Sequence, residues 1–297
     1  MLSVNIPVYN IEVVALVKQL VFQAEELEII FEIRVYDDGS TLEIKKLNRE
    51  IEVLPNVVYS ELQENLGRSA IRNKMGDDSQ YEYLLFIDAD SEIPSKNYLE
   101  VFLKNIKEER VLCGGTAYKN KPPKESGKLL RWIYGTNREA ISAERRNSKK
   151  GFIITSNNFL IEKSVFGRIR FREEISKYGH EDTLLGYDLY RNGIEIFHIQ
   201  NPVIHIGLED STVFLEKTKA ALQNLKFISE SLLANNKNFV RQVHFLDKYS
   251  TVKTFLPPVF LRALFIMFKL IMEKNLTGEK PSLFLFDLYK LTFYSTL

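Results

Sequence analysis

The chain has 297 residues, 45% of them hydrophobic, which is enough to bury a sizeable core in one large domain or two small ones. Its 40 Lys and Arg residues nearly balance its 39 Asp and Glu residues, and a net charge of +1 gives no reason to expect nucleic acid as a partner. The single cysteine, Cys113, excludes internal disulfides and cysteine-based metal clusters. Residues 1–6 have the pattern of a strand and lack that of a secretory signal, so we expect a cytoplasmic protein.

The first third of the chain alternates apolar strands with helical patterns. Strands are predicted at Leu2–Ile6, Ile29–Tyr36 and Asn56–Ser60, and helices at Ile11–Ala24 and after Asn65. Successive strand–loop–helix units predict a parallel α/β sheet with right-handed connections. A fourth strand, Tyr83–Ile87, is a continuous apolar run of the kind that is covered on both faces of such a sheet.

Two carboxylates, Asp88 and Asp90, follow this fourth strand directly. If the extended conformation continues, both side chains project to the same side and can share one divalent cation or one diphosphate–metal complex. Hard oxygen ligands favour Mg²⁺ or Mn²⁺. The alternative for an isolated Asp-x-Asp is a solvated turn or a helix N-cap.

Polar loops marked by Gly or Pro follow all four predicted strands. They contain Pro7-Val8-Tyr9-Asn10, Asp37-Asp38-Gly39-Ser40, Asn65-Leu66-Gly67-Arg68 with Arg72-Asn73, and Asp88-Ala89-Asp90. Each loop alone could be ordinary turn chemistry. Four of them at the carboxyl edge of one sheet predict a ligand pocket there.

The second half adds further polar signals. Residues 152–161 have the pattern of a strand, a polar break containing Asn157, and a second strand. Glu181 and Asp182 begin a helix that ends at Asn192-Gly193. By pattern alone, these acids are explained as first-turn residues that stabilise a helix N-terminus.

In order and spacing, these motifs resemble the family-2 glycosyltransferases, which are inverting, nucleotide-sugar-dependent enzymes of the GT-A fold. The resemblance covers about the first two-thirds of the chain. It implies a Rossmann-like, mainly parallel α/β sheet flanked by helices. Residues 1–110 would form the nucleotide-sugar-binding half, residues 111–209 the acceptor-binding half, and residues 210–297 a C-terminal helical extension.

The resemblance also implies the donor and metal sites. Asp90 would be the principal ligand of Mn²⁺ or Mg²⁺, together with Asp88 and His205; the alternative for His205 is a structural strand histidine. The alternative for Arg72 is a surface helical arginine. The residues that would bind the nucleotide sugar are Pro7, Tyr9, Asn10, Asp37, Asp38, Asn65, Arg68, Arg72, Asp88 and Ala89.

On the acceptor side, Asp182 would be the general base and Glu181 would bind acceptor hydroxyls or orient the base. Asn157 and Trp132 would contact the acceptor, although packing explains the tryptophan equally well. Two positions depart from the family pattern, which has a second acidic residue where Leu184 stands and an arginine further along the helix, where this chain has Asp188. Both departures concern acceptor contacts or the helix surface.

The expected donor is a UDP-sugar, and the expected reaction is transfer of one hexosyl or N-acetylhexosaminyl group to a saccharide or lipid-linked acceptor. The Gln-x-x-Arg-Trp signature of processive synthases does not follow the Glu-Asp pair, which favours addition of one sugar. Two alternatives belong to other functional classes. One is a non-catalytic nucleotide-sugar or saccharide-binding module. The other is a phosphotransferase with Asp88 as nucleophile, which leaves the other loops unexplained.

The tail contains two apolar segments, Val259–Met272 and Leu283–Leu297. Both are too short to span a bilayer and too hydrophobic for ordinary exposed helices. Residues 257–297 are therefore expected to contact the inner face of a membrane, to pack as a helical cap, or to form a homodimer contact.

Overall fold

The computed structural model describes residues 1–148, 151–175, 178–234 and 236–297. The chain forms two compact units. The first contains the described parts of 1–119, 140–176 and 181–207, and the second contains those of 120–139, 177–180 and 208–297.

The first unit is built on a seven-stranded sheet with the strand order β3-β2-β1-β4-β8-β6-β9. Strands β1 to β4 are parallel to one another, whereas β8 runs antiparallel to both β4 and β6. A smaller sheet has the order β5-β10-β7. The strands are β1 (Leu2–Val8), β2 (Phe31–Asp37), β3 (Val57–Glu61), β4 (Tyr83–Ile87), β5 (Ser91–Glu92), β6 (Arg110–Cys113), β7 (Thr116–Ala117), β8 (Asn158–Glu162), β9 (Glu195–His198) and β10 (Val203–His205).

The helices alternate with these strands and then continue alone to the C-terminus. They are α1 (Val14–Glu26), α2 (Leu42–Asn48), α3 (Arg68–Asp78), α4 (Tyr98–Lys104), α5 (Leu129–Tyr134), α6 (Ala143–Asn147), α7 (Lys163–Arg168), α8 (Glu181–Arg191), α9 (Ser211–Phe227), α10 (Lys237–Gln242), α11 (His244–Phe255), α12 (Pro258–Leu276) and α13 (Leu283–Tyr294). Short 3₁₀ turns occur at Arg49–Val53 and Ser126–Lys128, and π-helical turns at Gly135–Glu139 and Ile228–Leu232.

Strand β4 is buried on both faces, as its apolar run predicts. Leu85 and Ile87 belong to one hydrophobic cluster and Leu84 and Phe86 to another, because successive side chains of a strand point to opposite faces. The Phe86 ring stacks on Phe159 of the neighbouring β8 at 4.9 Å. The predicted α/β class with a mainly parallel sheet is confirmed.

Two local predictions are wrong. Pro7 and Val8 continue β1 instead of opening a loop; β1 pairs with β4 only as far as Asn5, so Pro7 lies where the ladder on that side has ended. Residues 152–155 form no strand. The backbone of Phe152 instead lies against Gly186 of helix α8.

The second unit is helical over most of its described residues, in agreement with the predicted C-terminal extension. Helices α12 and α13 pack together through Phe265, whose ring lies 5.4 Å from Tyr289 and 5.5 Å from Phe293. The Tyr289 hydroxyl donates a hydrogen bond of 2.7 Å to Glu273. In the described chain, no single helix has the length and apolar composition needed to cross a bilayer, but α11 and α12 meet both criteria as a pair, bent by 103°.

We expect the contact between α8 and residue 152 to make Gly186→Ala destabilising by about 1–3 kcal/mol, the usual cost of overpacking. A Cβ at position 186 would lie 2.0 Å from the Phe152 carbonyl oxygen, so the backbone must move. Gly167→Ala in α7 is the matched control, because a Cβ there meets no atom within 4 Å. Urea unfolding of both variants measures the difference; equal stability of the two would contradict the close approach.

Candidate active site

The loops after β1 and β2 are tied to each other. The backbone N–H of Asn10 donates to Ser40 Oγ at 2.7 Å, and the N–H of Thr41 donates to Asn10 Oδ1 at 2.9 Å. Asn10 has a φ of 55°, a conformation that asparagine tolerates better than most residues. Two loops predicted to bind one nucleotide therefore form one connected surface.

Asp37, at the end of β2, has one of its two carboxylate oxygens hydrogen-bonded to its own loop. Its Oδ1 accepts hydrogen bonds from the N–H groups of Gly39 and Ser40, at 3.1 and 2.7 Å. Its Oδ2 is buried and has no hydrogen-bond partner in the described part of the chain. A buried carboxylate oxygen without a donor is costly, so this atom is available to a ligand N–H or O–H group.

Asp38 holds the loop before helix α3. Its carboxylate accepts from the N–H groups of Leu66 and Gly67, at 2.7 and 3.1 Å, and its carbonyl accepts from Asn65 Nδ2 at 2.7 Å. Burial raises the pKa of Asp38, although the two backbone hydrogen bonds oppose that shift. Both carboxylate oxygens are thus engaged by backbone, and the residue fixes the position of the loop.

Arg72, on helix α3, is buried, which makes the interpretation as a surface arginine wrong. Its Nη2 lies 2.5 Å from Asp88 Oδ1, and its Nη1 donates to the Arg68 carbonyl at 3.0 Å. The guanidinium also lies over the Phe171 ring, 5.6 Å from the centroid. Its Nε is buried and unpartnered among the described residues.

The residues after β4 form a turn, so the extended conformation on which sharing of one cation was predicted does not continue. The buried Ala89 separates two carboxylates that meet different partners. Asp88 contacts Arg72, whereas Asp90 Oδ2 lies 3.3 Å from His205 Nδ1.

Asp90 and His205 are brought together by the small sheet, in which Ser91 of β5 pairs with His205 of β10. The described residues contain no group of three or more His, Cys, Asp or Glu side chains arranged to hold a metal ion. A carboxylate oxygen and an imidazole nitrogen are suitable ligands for Mn²⁺, and ligand phosphate oxygens commonly complete such sites. The pair therefore fits a metal that is bound together with a diphosphate.

Asn157 lies beside the Asp-x-Asp turn. Its carbonyl accepts from the Asp88 N–H at 3.2 Å, and its Nδ2 donates to Thr116 Oγ1 at 2.8 Å. Its Oδ1 is buried without a partner in the described chain.

Trp132 belongs to α5 in the second unit. Pro7 is partly exposed at the end of β1, and Tyr9 is exposed in the following loop.

Glu181 and Asp182 begin helix α8, as predicted. Burial, and then the neighbouring charge of Glu181, raise the pKa of Asp182 to about 7; hydrogen bonds from Thr183 and the charge of Arg72 act in the opposite direction. Glu181 is buried, with Oε1 3.4 Å from Arg68 Nη1 and Oε2 unpartnered among the described residues. A carboxylate that titrates near neutral pH is suited to proton transfer.

Some of the unpartnered buried side-chain atoms belong to residues of the predicted site. Four of the ten such side-chain atoms in the described residues belong to Asp37, Arg72, Asn157 and Glu181. Unsatisfied buried polar groups are few in native proteins and point to ligand contacts when several belong to one group of candidate residues.

Sequence reasoning missed Gly207 and Thr116. A Cβ at Gly207 would lie 2.6 Å from Asp90 Oδ2, so glycine at this position leaves space for the Asp90 carboxylate. Thr116 holds the Asn157 amide. No local pattern marks either residue, because each acts on a side chain far away in the sequence.

The chain resembles known proteins both in sequence family and in fold. The family model described as glycosyl transferase family 2 matches residues 3–170. A search of curated proteins finds no match. S. aureus TarS 1–349 in complex with UDP is 20% identical, with a TM-score of 0.52 over 99% of this chain and 89% of that chain.

Two further solved structures resemble the chain. The same TarS fragment in complex with UDP-GlcNAc is 18% identical, with a TM-score of 0.51 over 99% of this chain and 89% of that chain. The mannosyltransferase PcManGT from Pyrobaculum calidifontis, in complex with GDP-Man and Mn²⁺, is 14% identical, with a TM-score of 0.52 over 75% of this chain and 62% of that chain. These likenesses confirm the predicted GT-A fold. Because the family match extends over more than half of the chain, the protein belongs to glycosyl transferase family 2 and is a glycosyltransferase.

Proposed function

We propose that the protein is a metal-dependent, inverting glycosyltransferase that moves one sugar from a UDP-sugar to a saccharide or lipid-linked acceptor. One observation carries the proposal. The buried guanidinium of Arg72 contacts Asp88 and also lies close enough to Asp182 to act on its pKa. The turn expected to bind the donor and the acid expected to serve as base are thereby linked through one side chain.

Asp182 is the proposed general base. The acceptor oxygen attacks the anomeric carbon, the bond from that carbon to the phosphate oxygen breaks, and the nucleoside diphosphate leaves with the bonding electrons. The acceptor proton passes to the Asp182 carboxylate. A pKa of about 7 leaves a large fraction of this carboxylate deprotonated near neutral pH while keeping it basic enough to accept the proton.

Asp90 and His205 are the proposed protein ligands of Mn²⁺ or Mg²⁺, with the donor diphosphate completing the coordination. When bound, the metal would neutralise negative charge on the leaving group. The role of Asp88 in this proposal is to hold Arg72, whose positive charge then stays beside the turn that binds the donor. PcManGT with GDP-Man and Mn²⁺ supports a metal-bound donor in this fold.

UDP is the proposed donor nucleotide because the TarS structures contain UDP and UDP-GlcNAc. Asp37 Oδ2 is a candidate hydrogen-bond acceptor for an N–H or O–H group of the nucleotide sugar. Nucleotide-sugar use and a buried, free Cys113 both fit the cytoplasm, which we propose as the site of action. Asn157 is the proposed acceptor contact within the first unit.

We expect purified protein with Mn²⁺ or Mg²⁺ to release nucleoside diphosphate from one member of a nucleotide-sugar panel. Asp90→Ala should abolish both this release and metal-dependent nucleotide binding in calorimetry, because it removes the one carboxylate ligand. Glu92→Ala is the matched control: this exposed carboxylate pairs with Lys119 at 3.1 Å and should leave both signals intact. If the parent protein shows no release and no metal-dependent nucleotide binding, the transferase proposal is refuted in favour of a binding module.

We expect Asp182→Asn to lower turnover by about 10²- to 10⁴-fold, the usual contribution of a general base, while donor affinity stays within a few-fold. Asp188→Asn is the control on the same helix; its carboxylate pairs with Arg172 at 2.7 Å. Nucleoside diphosphate release and donor calorimetry report the two effects. Turnover in Asp182→Asn equal to that of Asp188→Asn would exclude Asp182 as the base.

The pH dependence of kcat/KM should have an acidic limb near pH 7, because Asp182 must be deprotonated to accept a proton. Below that pH the rate should fall about tenfold per unit. Glu181→Gln should move the limb to lower pH, since the charge of Glu181 contributes to the raised pKa of Asp182. An acidic limb that stays fixed in Glu181→Gln would argue that another group is titrating.

A further inference from the structure

Helix α12 has large apolar side chains on two sides. Leu261, Phe265, Met272 and Leu276 are buried, and Phe265 packs on α13. Seven large apolar residues of α12 are exposed, among them Phe268, and six of these lie on the side opposite the buried residues. We call these six the outer face of α12: Val259, Phe260, Ile266, Met267, Leu270 and Ile271. A helix that is apolar on all sides is normally covered on all sides. Packing within the second unit explains the buried side of α12 but not the apolar residues of its outer face.

The outer face begins at a sharp corner between α11 and α12. These helices are bent by 103° across Leu256 and Pro257. Phe255 and Val259, on either side of the bend, are 84% and 73% exposed. Side chains that protrude this far at a corner need a partner that can deform around them, which favours a fluid lipid surface over a second rigid copy of the same corner.

The charge around this surface is positive. Residues 241–280 contain seven Lys or Arg and three Asp or Glu, although the whole chain has a net charge of only +1. Lys248 and Lys253 are exposed on α11, and Arg262 is exposed between the apolar residues of α12. Long basic side chains can reach lipid phosphates while apolar neighbours enter the acyl region.

We propose that the α11–α12 corner and the outer face of α12 dock this enzyme on the surface of an anionic bilayer. The apolar residues enter the interfacial region, and the surrounding Lys and Arg residues contact the lipid headgroups. Docking would bring the enzyme to lipid-linked acceptors. The inference does not depend on the transfer reaction, because it rests on residues of the second unit alone and is tested without donor or metal.

The test is flotation of the full-length protein with vesicles of phosphatidylcholine, with or without phosphatidylglycerol. We expect binding to the anionic vesicles that weakens as ionic strength rises. Ile266→Gln combined with Leu270→Gln should weaken it by about tenfold or more, because both exposed side chains lose their apolar contact with lipid. Leu42→Gln combined with Val53→Gln removes equally exposed apolar side chains from the first unit and should not change binding.

Circular dichroism melting verifies that both double variants fold. Several outcomes would overturn the proposal: no binding to anionic vesicles, equal loss in both double variants, or a concentration-dependent dimer in the absence of lipid that only the α12 variant abolishes. The last result would identify the outer face as a contact between two copies of the chain. Binding that resists both high salt and alkaline carbonate would instead indicate insertion of the bent helix pair.

Discussion

The contact between Arg72 and Asp88 is the interaction on which the site depends. Arg72 is only 3% exposed, so its charge has lost most of its hydration and must be compensated by protein groups. Asp88, the Arg68 carbonyl and the Phe171 ring supply that compensation. These partners come from the end of β4, the first turn of α3 and the segment after α7, and the buried charge requires all of them to stay in place.

The aspartates of the site divide between building the loops and leaving atoms available to a ligand. Asp38 uses both carboxylate oxygens on the backbone of the loop before α3. Asp37 uses one oxygen on its own turn and leaves the other buried and free of described partners. Backbone N–H groups of irregular loops need acceptors wherever water is excluded, so an acidic loop can be rigid before any ligand arrives.

The sequence predicts the parts of the site that depend on local pattern. An apolar run that ends in polar residues identified the end of β4, and the Glu-Asp pair identified the start of α8. The burial of Arg72 was not predictable in this way, because Phe171 lies about a hundred positions further along the chain. The same reason explains the false strand before β8: Phe152 and Ile154 are buried against α8, and apolar pattern alone does not distinguish that contact from pairing in a sheet.

The proposed role of Asp182 as general base would set folding against catalysis at this site. Its native pKa of about 7 lies above the ordinary value near 3.9, so the native state binds the proton more tightly than the unfolded chain does. The stability that this group contributes is complete below about pH 4 and is lost as pH rises through about 7. The deprotonated carboxylate that the proposed base role requires is therefore the form that the fold tolerates least. Hydrogen bonds from Thr183 and the charge of Arg72 offset part of that cost, so the buried arginine acts on the proposed base as well as on Asp88.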